Sequence, residues 1–291
     1  MPNAETAISI RLEIQNIRNL PPLPVIAQQI LAAINNENAD IDEIAAIMQR
    51  DPSLTSRILG LSNSAFFGFA RKVYTLEEAI INVLGLDLVR GLAFTMVMGG
   101  VFNIQKCKEF DLTRYWCSAL MTADLAMRTA SIIPPSRQIN SNHLFLYGLL
   151  HNIGILVLTD RLPELMSEIF RVAKGHPDRR LIYTEQSMLD IDHHQAGAWL
   201  TEKWGLPDDV VRVIACHHQL DYREEYMHEI LITGFCSRTT SNWISGNNEL
   251  LDDDDEIYSL TGIDKHKMQA IAEKCRTKHA DFKEMAREMT G

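Results

Sequence analysis

Hydrophobic residues return every three or four positions along almost all of this chain, and no window sustains the two-residue alternation of a half-buried strand. Such spacing lines one face of a helix with apolar side chains, so the expected fold class is all-α. Val25, Ile26, Ile30, Leu31 and Ile34 share one stripe; Ile44, Ile47 and Met48 form a second; Leu54, Ile58 and Leu61 form a third. The helix starts are marked as well. Asp40 with Glu43, and Thr75 with Glu78, have capping-box spacing. Asp51-Pro52 places proline in a first turn, where its missing N–H costs nothing. Gly85 ends the helix carrying Ala79, Ile80, Val83 and Leu84, and Asp87 is expected to cap the next, through Leu88, Leu92 and Met96.

Beyond a polar stretch at Gln105–Phe110, read as a linker, Asp111 can cap a long helix with Trp116, Leu120, Ala123 and Met127, ending by Pro134-Pro135. One continuous apolar helix is expected over about His143–Leu158. Pro163 starts another that stops near Gly175. Helices at about Leu181–Leu189, Asp192–Trp204, Pro207–His217 and Tyr222–Trp243 follow. Residues 245–291 read as an acidic linker and one amphipathic helix from Asp264, with Met268, Ile271, Ala272, Cys275, Phe282, Met285 and Met289 on its apolar face. That face is expected to pack on the chain's own bundle, with a homodimer contact through this C-terminal helix as the other use.

Composition removes several functions. The chain is 46% hydrophobic, enough for a sizeable core. Its 28 basic and 38 acidic residues give a charge of −10, and its longest basic run is Arg71-Lys72, so no phosphate-tracking surface is expected. The Leu88–Phe102 segment, with Arg90 as its only cation, reads as a buried helix and not a groove reader. Met1–Gln15 lacks the basic start and apolar run of a secretory leader. Gly91–Phe102 is too short for a membrane span of about 20 residues, and Leu144–Leu158 is interrupted by His151 and Asn152. Cys107, Cys117, Cys216, Cys236 and Cys275 form no CxxC pair, which points to free thiols and a cytoplasmic location. The run Asp252–Glu256 lacks the spacing and glycine of a calcium loop.

The histidines carry most of the chemical information. Of ten, His151 lies in an apolar helix, His193-His194 at a helix start and His217-His218 at a helix end. A buried imidazole needs a hydrogen-bond partner or a metal, and helical bundles build metal sites from side chains of several helices. Convergence of the set is expected; metal occupancy is not.

These residues sit in a longer ordered pattern. Leu20-Pro21-Pro22-Leu23-Pro24, Asp51-Pro52-Ser53-Leu54, Asn63 through Gly68, Thr75 through Ile80 and Leu84-Gly85 come first. Trp116, Gly148–Gly154, Asp192-His193, Gly197, Trp204 through Pro207 and His217-His218 follow. The series resembles the HDOD domain, a relative of the HD and HD-GYP metal-dependent phosphohydrolases. The resemblance implies an HD-like helical bundle at about 106–244 preceded by a helical subdomain at about 15–105, with the HDOD unit over 15–220. It also implies a regulatory, signalling role. Compared with active relatives, the first histidine position holds Cys117, the His-Asp pair is His151-Asn152, Ile155 stands where HD-GYP relatives have lysine, and the later aspartate falls at Ser237. His193, His217 and His218 still match HD-GYP ligand positions. The expectation is therefore a non-catalytic module with no required cofactor. Its remnant pocket of Cys117, His151, Asn152, His193, His217, His218 and Ser237 would serve a small ligand or a signalling protein partner. The alternative is an HD-type phosphohydrolase or phosphodiesterase acting on nucleotides or cyclic dinucleotides. Any metal would fall to the histidines, with Cys117 facing His151 as a soft pair.

Overall fold

The computed structural model describes residues 21–34, 40–137, 139–174, 178–247 and 255–290; Leu20, Gly175 and the acids Asp252–Asp254 lie outside the described residues. Helices account for nearly all of the regular structure, with no strand among the described residues. In chain order they are α1 (Val25–Ile34), α2 (Ile41–Met48), α3 (Pro52–Ser62), α4 (Leu76–Ala79, continued by a π-turn at Ile80–Leu84) and α5 (Leu86–Gly99). Then come α6 (Leu112–Thr129), α7 (Ser141–Leu150), α8 (Ile153–Arg161), α9 (Pro163–Ala173), α10 (Asp178–Leu189), α11 (His193–Lys203) and α12 (Asp208–Cys216). The last four are α13 (Met227–Ile244), α14 (Asp255–Thr261), α15 (Lys265–Thr277) and α16 (His279–Thr290).

Most of the start signals work as the sequence indicates. Asp40 accepts from the Glu43 amide, Asp51 from the amides of Ser53 and Leu54, and Asp111 from that of Arg114. Thr75 accepts from the Glu78 amide, while the Glu78 carboxylate reaches back to the amide of Tyr74. Asp87 is an exception. The cap of α5 is Gly85, whose φ of 78° suits glycine, so Asp87 falls in the first turn and pairs with the buried Arg90. Val25 is another: at the very start of α1 it stands 69% exposed, and the face turned inward is Ala27, Ile30 and Ala33. The stretch read as a linker is anchored, with a 3-10 turn at Ile104–Lys106 and the buried Cys107 thiol 3.2 Å from the Ser167 hydroxyl.

The N-terminal helices α1 to α4 gather on α5, which is buried over most of its length, including Arg90. Helix α6 is the axis of the rest, packing on α7, α13, α15 and α16. The two halves share one core cluster, and a long-range bond joins them: the Trp204 indole N–H at the end of α11 donates to the Pro21 carbonyl at 2.8 Å. The stretch Ser141–Arg161 has the length and hydropathy of a membrane span, and 78% of that window is buried inside the bundle, as befits a core helix pair.

Two expected helices are divided. The apolar run from His143 to Leu158 breaks at His151-Asn152 into α7 and α8. The tail helix breaks at Lys278 into α15 and α16, and its apolar residues Phe282, Met285 and Met289 are buried against α6 and α3 of the same chain. The helix expected from Tyr222 begins at Met227, after Tyr226 turns the backbone at φ 63°.

Candidate functional site

The break between α7 and α8 is what exposes chemistry inside the core. His151 is the C-terminal cap of α7 and fully buried. Its Nδ1 is 2.8 Å from the Gly148 carbonyl, which can only accept, so Nδ1 carries the proton. Nε2 then accepts from the Ser237 hydroxyl of α13 at 3.0 Å. Asn152 follows at the start of α8, and its buried side-chain oxygen accepts no hydrogen bond among the described residues.

Glycines set the helices close enough for this. A Cβ on Gly148 would lie 2.4 Å from the Ala123 Cα of α6, and one on Gly154 would lie 1.7 Å from the His193 carbonyl oxygen of α11. The two glycines three residues either side of His151 thus let α7 and α8 touch their neighbours backbone to backbone. On α13, a Cβ at Gly234 would lie 1.6 Å from the His217 carbonyl oxygen.

The other four histidines meet at one point. His193 and His194 open α11, capped by Asp192; His217 caps α12 and His218 follows it. One ring nitrogen from each lies within 4.8 Å of those of the others. His193 Nδ1 is 2.6 Å from Glu185 of α10, whose carboxylate is fully buried and also accepts the His193 amide. His217 Nδ1 donates to the carbonyls of Val213 and Ile214 at 3.1 and 3.2 Å, and its Nε2 has no hydrogen-bond partner among the described residues. His194 Nε2 is 3.0 Å from His218 Nδ1. Burial, and after it the neighbouring imidazoles, push His194 and His217 well below the ordinary histidine range, so both are neutral near pH 7. The His151 ring stands 5.1 Å from that of His217.

Of the residues expected to converge, His193, His217 and His218 form one group and His151 and Ser237 a second beside it, with Asn152 next in the chain. Cys117 belongs to neither. Its thiol lies 3.9 Å from the Met121 sulfur on its own helix, its charged neighbours are Lys283 and Asp111, and burial pushes it up to about 11. The position one residue on, Ser118, lines the cavity with His151, because one helical step turns the side chain by about 100°. One participant escapes sequence reasoning: Glu185 looks like an ordinary surface acid on a polar helix. His194 belongs to the histidine set expected to converge, although it matches no HD-GYP ligand position.

These residues do not fit the metal centre of active HD enzymes. There, carboxylates at the positions of Asn152 and Ser237 offset the charge of the dication. Here one is a neutral amide and the other a hydroxyl that occupies His151 Nε2, the atom a metal would need. Replacing Ser237 with alanine removes that donor from a fully buried ring and is expected to cost about 1–3 kcal/mol in urea unfolding; unchanged stability would mean the bond carries no weight.

Beside His151 opens a cavity of about 390 Å³, walled by Tyr115, Ser118, Asn152, Phe170 and Ser241 among others. The Tyr115 hydroxyl and the Asn152 oxygen, both buried and without hydrogen-bond partners among the described residues, are polar groups a ligand could satisfy.

A family model described as the HDOD domain matches residues 20–220. Among solved structures, a Marinobacter aquaeolei protein described as a candidate signal transduction protein is 25% identical, with a TM-score of 0.82 over 99% of this chain and 67% of that one. An HDOD domain protein from Geobacter sulfurreducens is 20% identical, with a TM-score of 0.74 over 99% of both chains. A candidate phosphohydrolase from Shewanella amazonensis is 24% identical, with a TM-score of 0.74 over 95% and 97%. The last two bear on the fold alone. An uncharacterized Treponema pallidum protein is 29% identical over 226 residues, 77% of this chain; the chain spans about two fifths (42%) of that relative's length.

Proposed function

Because the chain belongs to the HDOD domain family, we propose that it is a non-catalytic regulatory module of bacterial signal transduction that takes a small ligand in the cavity beside His151. The observation that carries this reading is the hydrogen bond from Ser237 to His151 Nε2, together with the neutral Asn152. Hydrolysis of a phosphoester in this setting needs an activated metal-bound water and an open coordination position, but Ser237 and His151 Nε2 are spent on each other and Asn152 brings no charge. The description of the Marinobacter relative supports a signalling role. The cavity, by contrast, offers what a binding site needs: aromatic walls at Phe110, Tyr115 and Phe170 and two unsatisfied polar atoms. A ligand there would touch α6, α9 and α13 at once and so could bias how these helices pack. Five cysteines without a disulfide fit a reducing cytoplasm.

The test is turnover. Purified protein is offered nucleoside phosphates and cyclic dinucleotides with manganese or iron, and no hydrolysis is expected. Hydrolysis that disappears in His151→Ala while the fold persists by circular dichroism would replace this reading with the phosphohydrolase one.

A further inference from the structure

We propose that His193, His194, His217 and His218 bind one zinc ion, and that His151 stands outside its coordination sphere. Three of these, His193, His217 and His218, match HD-GYP ligand positions; the site differs from the centre of active HD enzymes in dropping His151 and both carboxylate positions and in adding His194.

The geometry is close to what zinc requires. Zinc–imidazole bonds of about 2.0–2.1 Å in a tetrahedron put the ligand nitrogens roughly 3.3 Å apart. Here His194 Nε2 and His218 Nδ1 are already 3.0 Å apart, and all four candidate atoms lie within 4.8 Å of one another. Small rotations of the rings close the remainder. The supporting contacts are those that metal-bound histidines use. His193 directs Nδ1 to the Glu185 carboxylate and His217 directs Nδ1 to backbone carbonyls, which makes Nε2 the lone-pair atom of each ring. Of these, His217 Nε2 has no hydrogen bond to lose.

Charge and chemistry then select the ion. A dication on four neutral imidazoles needs a nearby anion, and Glu185 is fully buried one hydrogen bond away, its second oxygen without a hydrogen-bond partner among the described residues. An all-nitrogen set without carboxylate favours zinc over magnesium or manganese. Four protein ligands leave no open position, so the ion is structural. It ties the start of α11 to the end of α12, which the glycines at 154 and 234 already press against α8 and α13.

The experiment uses the full chain without an affinity tag, stripped with chelator and titrated with zinc. One zinc per chain is expected, with a dissociation constant below about 1 μM and a raised melting temperature that chelator reverses. Cobalt in place of zinc should give the visible absorption of a tetrahedral site, and zinc-edge X-ray absorption should count four imidazoles. His194→Gln should weaken zinc by at least about 100-fold, while His151→Gln keeps it. Glu185→Gln, a positioning change, should weaken it about 10–100-fold with stoichiometry preserved. Failure to bind zinc, zinc retained at full affinity by His194→Gln, or fewer than four imidazoles in the wild-type spectrum would overturn the proposal. The wild-type spectrum decides even if a variant does not fold. None of these results bears on the turnover test, so the two readings fail separately.

Discussion

Replacing Gly234 with alanine is expected to cost at least about 3 kcal/mol of stability, at or beyond the upper end of ordinary over-packing. At an exposed position inside a helix the same change helps, by about 1 kcal/mol, because alanine loses less backbone entropy. Gly234 has ordinary helical geometry, so conformation does not oppose the substitution. Space does: the new methyl would stand 1.6 Å from the His217 carbonyl oxygen and 2.8 Å from its carbon. Both sides of that clash are backbone, and no side chain can swing away to relieve it. Either α13 retreats from the end of α12 or the His217-His218 corner moves, and both pull the imidazole cluster apart. Gly154→Ala meets the same obstacle at the His193 carbonyl, 1.7 Å away. Urea unfolding of the two variants measures the effect. Stability equal to or above wild type in Gly234→Ala would show that α13 does not approach His217 as closely as described.

Those glycines also mark the boundary of what the sequence discloses. Gly148 and Gly154 stand symmetrically about His151 in the string, but spacing alone does not say that each is a helix contact. The helical fold was legible throughout, because periodicity and capping are local and most caps formed as read. The breaks were not. The run from His143 to Leu158 is apolar on both sides of the polar pair His151-Asn152, which broke the membrane-span reading but not the helical one; the division there accompanies docking on α11 at Gly154, a tertiary constraint. Val25 and Asp87 were misplaced for the same sort of reason: a stripe or a capping residue names candidates, and the neighbour decides which of them is used. At the site, residue types were legible but orientation was not. Cys117 and Ser118 are adjacent in the chain, and one helical step separates a thiol turned toward Met121 from a hydroxyl on the cavity wall. Glu185 was invisible because burial, its one distinguishing property, depends on how α10 packs.

Phe282→Ala is the second large effect, and it asks whether the tail is part of the core or a dispensable addition. The ring is 1% exposed on α16, with its centroid 4.8 Å from that of Phe66 in the loop after α3, and the Lys278 ammonium lies over the Phe66 ring at 4.3 Å. Truncating a fully buried phenylalanine costs about 3–5 kcal/mol through lost transfer energy and the cavity left behind. The location of that loss is informative. All four tryptophans, at 116, 199, 204 and 243, lie outside the tail, so their fluorescence reports on the bundle alone. If α16 is one cooperative unit with α3 and α6, the tryptophan transition of Phe282→Ala moves to lower urea as a single step of unchanged slope. A tail that merely rests on the surface would detach early and leave the tryptophan midpoint where it was. The contacts favour the first outcome: α16 packs on α6, the axis of the C-terminal half, and on α3 of the N-terminal half, and Arg57 of α3 donates to the Met289 carbonyl. A residue near the end of the chain thus helps hold the two halves together, and a ligand that shifted α6 would have to work against that contact.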